Sequence, residues 1–211
     1  LNLCTSVTSV AQYEPVLTIR IDKPERINVA TFSPDGKSIL TGGNGSAVVR
    51  DAETGDRILA FNGHSGGVWS VAFSPDGKLA LSGAYDYEAK LWEVESGTEI
   101  HTFKNPVQAP TRGLPRYAFV CVAFSPDGQK ILTGDSEGGL VLWDAETGEE
   151  IRRYADHYRG VTSLAFLPNG TEVLGQHGGG SVSLVDLERD ERIYKFDGTS
   201  FSLSRDGKRL L

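Results

Sequence analysis

Methionine is absent from all 211 residues, position 1 included, so the chain is expected to begin inside a longer one. Cysteine occurs twice, as Cys4 and Cys121, which is too few for a disulfide framework and fixes no compartment. Cys121 lies among apolar residues and reads as a small core side chain. No apolar run is long enough to cross a membrane. Basic charge is scarce: the formal net charge is −7 and no dense basic stripe exists. A phosphate backbone is therefore not attracted, and nucleic acid is not an expected partner. The four histidines, His64, His101, His157 and His177, include none at metal-ligand spacing from another His, Cys or carboxylate on one element. No metal and no cofactor is expected.

The first stretch, Leu1–Gln12, is uncharged and carries small residues at Ser9 and Ala11. It resembles the end of a secretory signal peptide, although no positive n-region precedes it. The alternative is a linker or an ordinary strand. Residues 1–14 are set apart as an N-terminal segment. The cytoplasm is preferred as compartment, with secretion or the periplasm left open by Leu1–Gln12.

What the chain has in quantity is glycine, 25 residues at spaced positions, as an all-β chain with many tight turns requires. One phrase recurs. It reads Phe32-Ser33-Pro34-Asp35-Gly36, then Phe73-Ser74-Pro75-Asp76-Gly77, then Phe124-Ser125-Pro126-Asp127-Gly128. Weaker copies are Phe166-Leu167-Pro168-Asn169-Gly170 and Leu203-Ser204-Arg205-Asp206-Gly207. Their first residues are separated by 41, 51, 42 and 37 positions. A second phrase keeps step: Arg50-Asp51, Trp92-Glu93, Trp143-Asp144 and Val185-Asp186, the first three followed by Glu-Thr-Gly or Glu-Ser-Gly.

Each unit has a physical reading. Ser-Pro-Asp-Gly makes a type I turn, because Pro presets φ, Asp tolerates the third place and Gly suits the fourth. Val68-Trp69-Ser70-Val71-Ala72-Phe73 alternates with the period of a strand. Leu79–Gly83, the segment at Trp92, and Glu99–Phe103 follow as further strands. Four short strands in about 42 residues match one blade of a propeller.

The units resemble WD repeats, and the resemblance covers nearly everything from Pro15 to Leu211 (15–211). It implies an all-β fold of four-stranded antiparallel propeller blades, four to five of them in this chain. Val16–Ile21 reads as the last strand of a preceding blade, and Leu203–Gly207 opens a fifth. Seven blades usually close such a disc, and an open arc exposes edges. The missing blades are expected from the rest of a longer chain or from another subunit. The resemblance also implies a hydrogen-bonded structural set within the second unit: His64, Ser82, Asp86 and Trp92. The other units depart from it. The third keeps Thr133 and Trp143 but has Glu137 and no His. The fourth keeps His157 but has Gly175, Gly179 and Val185. The first has Arg50 in place of Trp.

No catalytic constellation stands out. Gly175–Ser181 is glycine-rich, but it leads into a strand where a phosphate loop needs a helix. Ser82, His64 and Asp86 follow the order of the structural set, and no nucleophile elbow is present. The expected function is a non-catalytic protein-interaction scaffold whose partners are other proteins or peptides. The alternatives are a regulatory or sensor propeller attached to an enzyme, and a lectin-like or enzymatic propeller using Asp86, Asp135 and Glu137 at its channel.

The binding face is expected where inter-blade links and second-to-third-strand turns open together. The link from Phe103 to Phe124 is nine residues longer than that from Phe61 to Phe73. It carries three prolines with Arg112, Arg116 and Tyr117, residue types that anchor interfaces. The same face is expected to expose Trp69 and Tyr85, with Arg26, Asn28, Tyr158 and Thr162 at corresponding places in other units.

Overall fold

The structure is a computed structural model, and it describes residues 26–104, 121–135, 138–154, 160–198 and 201. It contains four separate sheets, each a four-stranded antiparallel meander in chain order. The first blade holds β1 (Val29–Phe32), β2 (Ser38–Gly42), β3 (Ser46–Asp51) and β4 (Arg57–Asn62). The second holds β5 (Val68–Phe73), β6 (Leu79–Ala84), β7 (Glu88–Glu93) and β8 (Glu99–Lys104). The third holds β9 (Cys121–Phe124), β10 (Lys130–Gly134), β11 (Leu140–Asp144) and β12 (Glu150–Tyr154). The fourth holds β13 (Val161–Phe166), β14 (Glu172–His177), β15 (Ser181–Asp186) and β16 (Glu191–Asp197). These are blades of a β-propeller. Val16–Ile21 and Leu203–Gly207 lie outside the described residues.

The recurring phrase makes the turn that opens each blade. Gly36 N–H donates to the Ser33 carbonyl at 2.9 Å, and Gly36 takes φ +73. Ser33 Oγ donates to Asp35 Oδ1 at 2.6 Å, and the same oxygen accepts the Lys37 N–H. The turn repeats at Ser74–Asp76 and Ser125–Asp127. In the decayed fourth copy the hydroxyl is gone, and Asn169 Oδ1 takes the N–H groups of Thr171 and Glu172 instead.

The core lies between blades. Each seam is one apolar cluster: Leu40, Phe61, Val71 and Trp92 in the first, Leu91, Phe103, Phe124 and Trp143 in the second, Leu132, Tyr154, Phe166 and Val185 in the third. An aromatic on each of β4, β8 and β12 packs forward. Phe61 stacks on Trp92 with centroids 5.2 Å apart, Phe103 meets Trp143 at 5.3 Å, and the Tyr154 hydroxyl donates to the Leu187 carbonyl. Such rings bury 150–250 Å² each in typical cores, so the seams carry most of the cohesion. Cys121 is buried in the third seam, where burial pushes its thiol far above the ordinary range and leaves it unreactive.

The outer strands share a device. In every blade the ladder between third and fourth strands slips at one place, before Arg50, Trp92, Trp143 and Val185. The extra residue is Ile58, Ile100, Ile151 or Ile193, each 42–59 % exposed. A bulge at this place interrupts an outer edge that could otherwise pair with another chain.

Candidate functional site

An antiparallel meander alternates its connections between two ends of the blade. First-to-second and third-to-fourth turns lie at one end. Second-to-third turns and inter-blade links lie at the other. The two ends differ in charge. Seven of the eight turns at the first end carry carboxylates, Leu167–Thr171 being the exception. Among the described residues, the turns and links of the second end hold Asp86 and Asp135. The Asp86 side chain is 6 % exposed, and Asp135 is buried with Oδ1 accepting the Gly139 N–H. Arg26 is exposed at this end.

The second blade brings His64, Ser82, Asp86 and Trp92 into one chain of hydrogen bonds. His64 Nδ1 lies 2.9 Å from Asp86 Oδ2, and His64 Nε2 lies 2.8 Å from Ser82 Oγ. The Trp92 indole N–H donates to the same Ser82 Oγ at 2.8 Å. Asp86 Oδ2 also accepts the Ser65 N–H, which ties the link before β5 to the turn before β7. Burial would raise the Asp86 carboxyl. The bond and charge of His64, with the N–H groups of Ser65 and Glu88, outweigh burial and hold it below the ordinary value. Beside this set, Lys90 is buried and reaches Glu99, Glu88 and the Thr102 hydroxyl.

The other blades keep fragments. Trp143 Nε1 donates to Thr133 Oγ1 at 2.9 Å. Arg50 is buried and donates to the Gly55 carbonyl of its own turn. In the fourth blade, His177 closes β14 and lies 3.0 Å from Ser183 Oγ. Ser183 stands opposite Gly175, which has no side chain to compete, so a His–Ser pair forms where the usual hydroxyl position is empty. His157 lies outside the described residues, as does Glu137. Of the channel carboxylates, Asp86 and Asp135 are thus engaged in holding turns.

The aromatic pair is half-buried, not exposed as the sequence led us to expect. Trp69 is the extra residue where the β5–β6 ladder slips between Val68 and Ser70. Its ring centroid sits 5.0 Å from that of Tyr85. Trp69 Nε1 and Asn28 Nδ2 both approach the same side of Gly67, and Asn28 Nδ2 donates to the Val68 carbonyl. Asn28 therefore binds the seam between first and second blades. Thr162 occupies the equivalent slip in β13, is exposed, and bonds the Gln176 carbonyl. Arg112, Arg116, Tyr117 and Tyr158 lie outside the described residues.

One residue at this end escaped the sequence reading. Aligned by register, Gly45, Tyr87, Gly138 and Gly180 stand at the same place in the turn into the third strand, and all four take positive φ: +77, +67, +99 and +78. Tyr87 is the bulky member, and it is 36 % exposed. An L-residue with a side chain at this φ is strained by roughly 1–2 kcal/mol. Aligning the units at that turn, one residue past Asp86, would have singled it out.

The family model described as "WD domain, G-beta repeat" matches residues 55–93 and 110–144. The chain is 26 % identical over 169 residues to WD repeat-containing protein 1 of Gallus gallus, covering 61 % of this chain and 28 % of that protein. It is 36 % identical over 113 residues to pre-mRNA-processing factor 17 of Homo sapiens, covering 52 % and 18 %. It is 34 % identical over 121 residues to serine-threonine kinase receptor-associated protein of Dictyostelium discoideum, covering 57 % and 38 %. The chain spans well under half the length of these curated relatives.

Proposed function

Starting from a chain that carries WD40 repeats, we propose that this protein is a non-catalytic interaction scaffold. It binds other proteins or peptides through the end bearing the inter-blade links and second-to-third-strand turns. The charge separation is the observation that carries the reading. Carboxylates crowd the turns of one end, while the two in the described turns and links of the other, Asp86 and Asp135, are buried and spoken for, and only Glu88 and Asp197 stand beside them at strand ends. That other end is left with aromatic surface at Trp69, Tyr85 and Tyr87, and protein interfaces favour aromatic cores depleted of charge. Electrostatics orient the encounter: an acidic partner surface is repelled from one end only. The names of the relatives, a pre-mRNA-processing factor and a receptor-associated protein, fit a role in assemblies. In this reading His64, Ser82, Asp86 and Trp92 stiffen the blade and do not react.

The test compares the two ends. Trp69→Ala and Tyr85→Ala abolish capture of partner proteins while the melting temperature stays within a few degrees. Glu53→Lys and Glu146→Lys, at the acidic end, leave capture intact. Capture lost only in the acidic-end variants places the contact on the opposite face. Unfolding of both aromatic variants makes those rings core and removes the site.

A further inference from the structure

Two local costs meet at the turn between β6 and β7. The first is Tyr87, held at φ +67 where the other three blades have glycine. Glycine would take this turn without strain, yet a ring stands there and reaches solvent. The second is the Trp69 indole. Its Nε1 is closed off from solvent and has no hydrogen-bond partner among the described residues. Trp92 and Trp143, by contrast, each donate to a hydroxyl. A buried donor without an acceptor is rare and destabilising. Either cost is removable by one substitution, Tyr87→Gly or Trp69→Phe. Strain and an unmet donor together, beside the half-buried Tyr85 ring, mark a place shaped for something other than stability.

We infer that Trp69, Tyr85 and Tyr87 form the docking site for an extended, proline-containing peptide segment of a partner protein. This deepens the scaffold reading and rests on it. Two requirements select the occupant. The indole needs a carbonyl acceptor, and a polyproline-type backbone has no internal hydrogen bonds, so its carbonyls are free. The exposed ring faces need flat apolar surface, which pyrrolidine rings supply; aromatic-lined sites recognise such segments in this way. Charge agrees: of the carboxylates beside Tyr87, Asp86 is held by His64 and Ser65 and Glu88 is paired with Lys90 and Lys104, so neither is left to select a cationic peptide. On docking, the Tyr85 ring moves aside, a peptide carbonyl accepts the Trp69 N–H, and a proline ring lies against Tyr87.

The experiment uses the purified chain, a displayed library of random dodecapeptides, and a labelled decaproline peptide with a Gly-Ser decapeptide as control. Proline-containing sequences are enriched, and decaproline binds at least tenfold more tightly than Gly-Ser. Tyr87→Gly and Trp69→Phe each weaken decaproline about tenfold, the size of one lost anchor, whereas Tyr87→Phe binds as the parent. Tyr87→Gly also raises the folding equilibrium constant, about threefold or more, because strain is relieved. Enrichment of sequences without proline, lost in Tyr87→Gly, keeps the scaffold and overturns the proline assignment. Proline sequences whose binding ignores both substitutions overturn the site. A Tyr87→Gly variant less stable than the parent overturns the strain argument. No enrichment at all overturns the peptide site, and the capture test of the two ends then decides the scaffold reading by itself.

Discussion

The imidazole of His101 leaves its own blade and donates from Nε2 to the Glu146 carbonyl of the next, 2.8 Å away. A carbonyl only accepts, so the proton sits on Nε2. The register shows that this is one instance of a general position. Leu59, His101 and Arg152 stand opposite Val49, Leu91 and Leu142 of their third strands. Leu59 packs against Gly97 of the following turn, and Arg152 donates to the Leu187 and Glu188 carbonyls. Three chemistries staple each blade to the next at the same place. His101→Ala is expected to cost about 1 kcal/mol, the net worth of one such bond. Denaturant titration reads it; no change in the midpoint means that the apolar seam alone holds the blades.

The same staple predicts a coupling. A Cβ on Gly148 would lie 2.9 Å from His101 Nδ1, and Gly148 takes φ +73. Gly148→Ala therefore adds displacement of His101 to backbone strain of roughly 1–2 kcal/mol. Gly36 takes the same φ, +73, with open space around it, so Gly36→Ala measures strain alone. In a His101→Ala background Gly148→Ala should cost no more than Gly36→Ala. A double-mutant cycle that adds without coupling would show that His101 yields freely.

Ser82 serves two partners where Thr133 serves one. Ser82→Ala strands the Trp92 N–H and removes the partner of His64 Nε2, both buried. Thr133→Val strands only the Trp143 N–H. Leaving a buried group unpaired costs about 1–3 kcal/mol, so Ser82→Ala is expected to lose about twice as much stability. Equal losses would mean that the second blade draws nothing extra from its longer chain of bonds.

The legible and illegible parts of this molecule divide along local and non-local chemistry. Ser33-Pro34-Asp35-Gly36 and its copies announce their turn because every bond in it spans at most five residues. The His64–Trp92 set was readable because its spacing repeats a known pattern. Burial of Trp69 was not, since it rests on a slip between Val68 and Ser70 and on a ring contact with Tyr85, sixteen positions away. The staple was hidden because Leu59, His101 and Arg152 share no residue type, only a register set after a bulge. Tyr87 was hidden because a bulky side chain does not announce a positive φ; only its alignment with Gly45, Gly138 and Gly180 does. His177 read as part of a glycine-rich turn, and only the pairing of Gly175 with Ser183 explains its bond.

Asp86 makes acid sensitivity specific. Its folded pKa is lowered, against burial, by His64 and two backbone N–H groups. A carboxyl depressed in the folded state adds stability above its unfolded value, ~3.9, and loses it as pH falls through the folded value. Asp35, Asp76 and Asp127 are lowered too, by their serine and backbone bonds, so the loss below pH ~4 is shared. Asp86→Asn should flatten part of that loss and leave the rest. An unchanged acid limb in Asp86→Asn would assign the whole loss to the other lowered carboxyls, the turn aspartates and Glu99.

His177 opens a second, separate window. It is buried, and burial, followed by the positive charges of Lys195 and Arg192, pushes its imidazole below the ordinary value. The depressed group is a base, so the unfolded chain binds the proton more readily. Stability is full above the unfolded value, ~6.5, and falls as pH drops from there toward the folded value. The carboxylates cannot produce this, because their window lies lower. Thermal melts between pH 7.5 and 5.5 should therefore show a decline in the parent that His177→Gln lacks, since glutamine can still bond Ser183 Oγ without titrating. A decline of the same size in both proteins would place the titration elsewhere, and Ser183→Ala then tells whether the His177 bond matters at all: it lowers the melting temperature at pH 7.5 if it does.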